Sequence, residues 1–485
     1  MKLRGYLLLI LIMFAILPAA YGETINPRQY GLDKAANGVE ACQVLQRCHA
    51  DAVRKGATVS YKGIDTLRIE IPHGFTSIPL TEKVDFAGVT IIIENKTKDC
   101  YLFAKSSSLA EVNILGSEID SGNFKRNKNL QSGHFLLIID DAEPWCGRKG
   151  YVSKVKRKDA MIVKGGISSN LPISSYSSPV SKPQGRYRTI DSRKKSIRNL
   201  IFVRTQNSTY NTNCLKIENQ YNIELKNITI QTPEDSVKYG DKAIHIENCV
   251  DVVLKDININ GTYSQLREYG YGISLFNIAN LKVYRMYGRG NWGVFGTHCL
   301  NNVMLTNCDI NRFDIHCYGR NVRAKGCKFN DLYNQFSSMY GSITFNKCEF
   351  RNSIPMLIES SYNAYTPFDV VWKNCTFHLN KKHNYILTLF GVPEPYNSRQ
   401  ELRRKSLPNI TLKNCCVITD DDLEKWYLIQ TGGVKYQDSF DYISSVNIDV
   451  DVYGKAGVKY YFSTEPLKTT NRINIKEKIK ISSNE

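Results

Sequence analysis

Beyond position 17 the chain has no apolar run approaching the ~20 residues that a membrane-spanning helix needs. The body of the protein is therefore expected to be soluble, with no stable membrane insertion. Acids are never grouped at the spacing of a calcium loop, and Asp420-Asp421-Asp422 reads as a solvated corner. Cys and His do not fall into a zinc pattern, and neither a glycine-rich phosphate loop nor a serine-nucleophile elbow occurs in suitable context. No metal and no cofactor are expected. Acids are also short overall, 46 Asp and Glu against 64 Lys and Arg, for a net charge of +18.

What is present starts with the N-terminus. Lys2 and Arg4 precede an apolar run from Leu7 to Leu17, Pro18 breaks it, and Ala20-Tyr21-Gly22 offers small residues for cleavage. This predicts a signal peptide over residues 1–22 and a periplasmic or secreted protein. No cysteine follows the run, which argues against lipid anchoring there; an uncleaved anchor is the alternative. An exported basic protein is expected to meet acidic polysaccharide or lipid headgroups, not intracellular nucleic acid. Residues 147–199 hold fourteen Lys or Arg against Asp159 and Asp191. Rich also in Ser, Gly and Pro, residues 141–199 are expected to form a basic insertion, a long excursion that could hold a polyanion through Lys194, Lys195 and Arg198.

The fold is decided by a repeat. From Asn222 one pattern recurs eight times: a turn residue, apolar, any, apolar, two of any kind, Cys/Ile/Met, any, apolar. The turn residues are Asn222, Asp251, Asn280, Asn302, Asn321, Ser342, Asp369 and Asn409. The first apolar column reads Ile223, Val252, Leu281, Val303, Val322, Ile343, Val370, Ile410. Period two places the first two apolar columns on one face of a strand, and the extra residue before the third marks a bend. Asn and Asp tolerate the left-handed backbone of a tight corner. Like residues recurring at 19 to 40 positions require coils stacked on one another, an all-β solenoid.

Five cysteines, Cys308, Cys327, Cys348, Cys375 and Cys415, share one inward column, where free buried thiols are expected as packing. A pairing of Cys42 or Cys48 with Cys100 or Cys146 stays open. Val39 to Arg54 has the spacing of an amphipathic helix, expected within a cap and first coils over 23–140. Regular coils are expected over 200–420. Residues 421–485, with the Lys-rich stretch 476–480, would supply the last coils and the other cap.

With Asn26-Pro27-Arg28-Gln29-Tyr30-Gly31 ahead of stacked coils, the chain resembles the pectate-lyase-like superfamily of right-handed parallel β-helices. That resemblance implies a carbohydrate site in a groove along one sheet without fixing the reaction. The basic surplus and Arg312-Phe313-Asp314-Ile315-His316 look most like gut bacterial polysaccharide lyases of the family 29 type. For such enzymes chondroitin, dermatan or hyaluronan is the implied substrate.

The candidate site itself rests on local chemistry. Eliminating across a uronic acid needs a cation on the carboxylate, a base for the C5 proton and an acid for the leaving oxygen. Residues 289–340 concentrate such groups. Period two turns Phe313 and Ile315 inward, so Arg312, Asp314 and His316 are expected to project into solvent, with His298 and Tyr318 beside them. Arg312 would neutralise the carboxylate, His316 act as base, Tyr318 or His298 as acid, and Asp314 as orienter. Trp292, Arg289 and Arg320 are candidate sugar contacts. His245, Glu247 and Glu359 are secondary candidates. An inverting hydrolase, with Asp314 and Glu359 as its best carboxyl pair, and a non-catalytic polysaccharide binder are the alternatives.

Overall fold

The computed structural model describes residues 22–95, 100–142, 146–147, 154–155, 157–191, 193–204, 212–232, 242–261, 271–289, 293–316, 318–337, 339–359, 368–390, 408–432, 444–454, 458–464 and 473–483. The expected signal peptide lies outside them, apart from Gly22.

The chain forms a parallel β-helix. Its long strands, Thr212–Thr232, Ile244–Gly261, Tyr271–Tyr284 and Gly293–Thr306, each run through bends without leaving the ladder. Register follows the repeat. Ile223, Val252, Leu281, Val303, Val322, Ile343, Val370 and Ile410 pair in unbroken succession, and all eight are buried. Asn222, Asp251, Asn280, Asn302 and Asn321 have φ between 53° and 59°. At Ser342 the left-handed residue is instead the preceding Gly341, beside a register shift. The bend before the third column is a second left-handed corner, occupied by Asn227, Asp256, Arg285, Asn307, Lys347, Asn374 and Asn414. Corner amides also bond from coil to coil: Asn280 donates to Asp251, Asn302 to Asn280, and Asn321 to Asn302, at 2.8–3.3 Å.

The five column cysteines are buried and free, as are Cys42 and Cys48; Cys100 is free and partly exposed. Sulfurs of Cys348, Cys375 and Cys415 lie 3.4–3.5 Å from backbone carbonyls of the preceding coil, a weak S–H bond that keeps them inward.

Helix α1 (Gly38–Lys55) packs on the first coils. Asn37 caps it by accepting from the Glu40 amide, and Gly56, at φ 65°, ends it. Its buried Leu45, Cys48 and Ala52 join the helix core. The lysine-rich C-terminus forms a strand. Ile473–Ser483 pairs in parallel with Ser444–Gly454 and adds one more strand to the stack.

The expected basic excursion is the largest correction. Five antiparallel strands, in the order Ile167–Ser168, Arg157–Lys164, His134–Asp140, Gln184–Thr189, Ala110–Val112, form a separate sheet. The insertion therefore starts near residue 110, not 141. It ends before Lys195–Arg204, which already belongs to the β-helix. Leu136, Ile138, Met161 and Val163 fill its own core. Phe135, Leu137, Ala160 and Ile162, on the opposite face, pack on Val250 and Ala279 at a corner of the β-helix. The inserted sheet stands as a ridge along that corner, with one outer face of the helix on each side.

Candidate active site

On one side of the ridge, register stacks Glu218, Glu247, Phe276 and His298 in a single outward column. A parallel bridge between Phe295 and Phe313 carries the column onward, so His316 follows His298. Their rings meet edge to face at 5.3 Å, and Phe276 meets His298 in the same way at 5.0 Å. The expected proximity of the two histidines is thus realised.

The centre is a shared hydrogen-bond network. The Tyr271 hydroxyl lies 2.8 Å from His316 Nε2 and 2.9 Å from Asp314 Oδ2, to which it donates. His316 Nε2 is also 3.2 Å from Asp314 Oδ2. Arg312 Nε reaches the same carboxylate at 2.5 Å, and Arg312 Nη2 donates to Gln335 Oε1 at 3.0 Å. The Gln335 amide donates to Asp314 Oδ1 at 3.1 Å. Two glycines make the room. A Cβ on Gly296 would stand 2.5 Å from the Tyr271 ring, and one on Gly293 would stand 2.9 Å from Arg312 Cβ.

Arg312 and Asp314 do not project into solvent as period two suggested; both side chains are 0 % exposed. Arg312 lies under the site, its guanidinium 4.1 Å from the Tyr333 ring centroid. Sealed there, it cannot bond a substrate carboxylate. Burial alone would push the Asp314 carboxyl up. The Arg312 cation and the His316 hydrogen bond outweigh that and hold it below its usual range. Asp314 is an ionised anchor, and only His316, 16 % exposed, and Tyr271, 8 %, carry its influence towards solvent.

Tyr318 belongs elsewhere. At φ 70° its backbone turns the side chain under the inserted sheet, where its hydroxyl donates to Asp159 Oδ2 at 2.9 Å. Tyr176 donates to the same oxygen at 2.9 Å, and the Ile173 amide to Asp159 Oδ1 at 3.0 Å. Burial lifts the Asp159 carboxyl to about 6 against these donors and Arg157. This sealed network locks the ridge to the helix and offers no acid to a substrate.

The expected sugar contacts are mostly engaged within the protein. Arg320 donates to the Pro172 carbonyl at 2.8 Å and holds the ridge. Arg289 pairs with Asp309 on the next face. Lys194 pairs with Glu224 and Arg198 with Asp85, both at 2.8 Å. Lys195, 2 % exposed, bonds the Asp191 and Arg193 carbonyls. Trp292 lies outside the described residues, as does the Glu359 side chain.

Two site residues were not visible in the repeat. Tyr271 and Lys242 each stand two residues before an inward isoleucine, Ile273 and Ile244, which pair across adjacent coils. The repeat pattern begins at the corner after this strand and does not reach them. Lys242 Nζ lies 4.9 Å from the Phe276 ring centroid, placing a cation beside the histidine column.

Further along, Glu218, His245 and Glu247 bring one ligand atom each within 4.8 Å of one another. Lys216 and Lys158 pair with the two carboxylates at 2.8 Å each, so the group is already neutralised. The His245 hydrogen bond and the Lys158 ammonium hold Glu247 down at about 2.

No family model and no curated protein matches the chain. Solved structures do. The Gp54 tailspike of Acinetobacter baumannii bacteriophage AP22, solved with a capsular saccharide, is 14 % identical with a TM-score of 0.53, over 94 % of this chain and 79 % of that one. The gp49 tailspike of Pseudomonas phage LKA1 is 13 % identical, with a TM-score of 0.44 over 95 % and 79 %. A family 28 exopolygalacturonase of Yersinia enterocolitica is 9 % identical, with a TM-score of 0.29 over 95 % and 78 %. At these identities the likeness is one of fold, and it is the parallel β-helix.

Proposed function

We propose that the protein is an exported polysaccharide lyase that cleaves a uronate-containing polymer, such as a glycosaminoglycan, by β-elimination. The observation that carries this reading is the Tyr271 hydroxyl shared between His316 and Asp314. One of the pair His316 and Tyr271 takes the C5 proton of the uronate. The electrons left behind form the C4–C5 double bond, the C4–O bond breaks, and the other member returns a proton to the leaving oxygen. Asp314, kept ionised by Arg312, stabilises the positive charge on the imidazole as the proton arrives. Lys242 replaces Arg312 as the group that neutralises the substrate carboxylate, and His298 contacts the sugar alongside. A saccharide in the AP22 tailspike structure is consistent with a polysaccharide partner for this fold.

An inverting hydrolase needs two usable carboxyl groups ~6.5–9.5 Å apart. Asp314, sealed and ion-paired, cannot be the proton donor of such a pair. The test is incubation with a panel of uronate polysaccharides, following both ultraviolet absorbance of the unsaturated product and new reducing ends. A lyase gives both signals, a hydrolase only the second, and a binder neither. His316→Ala and Tyr271→Phe are each expected to lower kcat by about 10²–10⁴-fold. Near-normal turnover by both would remove this site.

A further inference from the structure

The face on the other side of the ridge has a different chemistry. Register makes one outward column of Arg198, Lys226, Lys255, Tyr284, Thr306, Lys325, Asn346, Lys373 and Lys413. Not one of these nine positions is acidic. Arg198 is paired with Asp85, the next position along the column; the five lysines form no direct ion pair among the described residues, although Lys226 and Lys255 lie near enough to Asp256 to help hold its carboxyl down. Lys226 stands directly opposite Lys255, and Lys373 opposite Lys413. Like charges at a strand spacing of ~4.8 Å repel, and facing pairs of this kind destabilise a sheet. On the ridge side, by contrast, Lys158 and Lys216 each have a carboxylate partner. In the neighbouring column Lys282 and Arg323, both exposed, line a recess of about 380 Å³ with Met304, the Asn280, Asn302 and Asn321 corner amides and one carboxylate, Asp251, which accepts from Asn280.

We infer that this face is a second, non-catalytic binding surface for a linear anionic polysaccharide laid parallel to the helix axis. Cations in a straight column, set apart by whole numbers of coil steps, suit a straight polymer carrying anions along its length. From Lys226 to Lys413 the column spans seven coil steps, ~34 Å at the parallel-strand spacing, which is far longer than one sugar. Its intervening residues are Tyr, Thr and Asn, which bond sugar hydroxyls. A lipid surface is a poorer fit, because none of the large exposed apolar side chains among the described residues lies in these two columns. The inference stands apart from the proposed lyase chemistry, since the surface would hold an acidic polymer whether or not the cleft cuts it.

The test compares three proteins: wild type, a fivefold Lys226→Gln, Lys255→Gln, Lys325→Gln, Lys373→Gln, Lys413→Gln variant, and His316→Ala. Chondroitin sulfate is the probe, titrated at several salt concentrations. The fivefold variant should bind at least about tenfold more weakly, with a shallower dependence of log Kd on log salt, because fewer counterions are released. His316→Ala should keep wild-type affinity. The fivefold variant should also melt at or above the wild-type temperature, since repulsion has been removed, so weak binding cannot be blamed on misfolding. Unchanged chondroitin sulfate affinity in the fivefold variant overturns the inference. So does a variant that loses binding only to phosphatidylserine vesicles.

Discussion

Two Arg–Asp–Tyr networks lie on adjacent parts of the same molecule and treat their carboxylates in opposite ways. Asp314 and Asp159 are both fully buried, and both accept a tyrosine hydroxyl at 2.9 Å. Asp314 is held below its usual range, while Asp159 is raised to about 6. The difference lies in where the arginine points. Arg312 Nε sits 2.5 Å from Asp314. Arg157 spends its Nη2 on Ser174 and the Ser175 carbonyl, and its Nη1 is 3.5 Å from Asp140. On Asp159 three neutral donors and the field of Arg157, whose guanidinium is shared with Asp140 and Ser174, do not offset the loss of water; on Asp314 the Arg312 contact does. The first network opens to solvent through His316, and the second is closed on all sides. A proton relay can be built on the first only.

Removing the cation should have the largest effect. Arg312→Met leaves Asp314 buried and unpaired, and is expected to destabilise by about 3–5 kcal/mol, read from chemical unfolding. Activity should go with it, because Asp314 would then take up a proton and release His316. Arg157→Met should cost less, since Asp159 can already take up a proton near neutral pH. Equal losses from the two substitutions would show that the arginines do the same job, and the contrast would be wrong.

The second effect is one of pH. Asp159 binds its proton more tightly folded than unfolded, so the folded state carries the extra proton between about pH 4 and 6. Stability from this group therefore falls as pH rises through that window and stays flat above it. The full change is about 3 kcal/mol. His49 acts with the opposite sign, because burial drags it down to about 3 and its protonation favours the unfolded chain as pH falls. The measurement is thus the difference in stability between wild type and Asp159→Asn, in which His49 cancels. That difference should shrink by about 2.4 kcal/mol from pH 4 to pH 7. A constant difference would show that the donors and Arg157 fully offset the burial of Asp159.

The two regions were also unequally legible from the sequence. The β-helix was readable because each coil repeats the same inward columns, and every pairing in the first column matches the residues expected. His298 and His316 could be placed together by counting along those columns. Burial of Arg312 and Asp314 was not readable, because period two says which side of a strand a residue takes, not what covers that side. Tyr271 was missed because it stands upstream of the repeated pattern. The ridge was misread because its charges and serines suggest a solvated loop. His134–Asp140 is buried on both faces and so lacks the alternation of a surface strand. Arg157 and Asp159 look like two more surface charges until the fold pairs them with Ser174 and Tyr318. The positive balance of that segment is likewise no guide to binding: Lys194, Lys195 and Arg198 are tied down, and the unpaired lysines lie on strands scattered across the coils.

The smallest effect separates the two tyrosines. Tyr318→Phe removes one of three donors to Asp159 and leaves the backbone corner and the ring packing in place. A hydrogen bond to a charged group contributes about 1.5–3 kcal/mol, and at pH 7 Asp159 is mostly ionised. With two other donors left on the carboxylate, the expected loss is at the low end, about 1.5 kcal/mol, and smaller at pH 5, where the proton on Asp159 weakens the bond. Turnover on an acidic polysaccharide should stay within about twofold of wild type, because the hydroxyl is sealed from any substrate and its loss removes no acid or base. Tyr271→Phe makes the same chemical change at the same distance from a buried aspartate, and there turnover should collapse, beside a stability loss of about 1.5–3 kcal/mol for a bond to an ionised carboxylate. Should Tyr318→Phe slow the reaction as much as Tyr271→Phe, the ridge network would have to take part in the chemistry, and the division between an open and a closed network would fail.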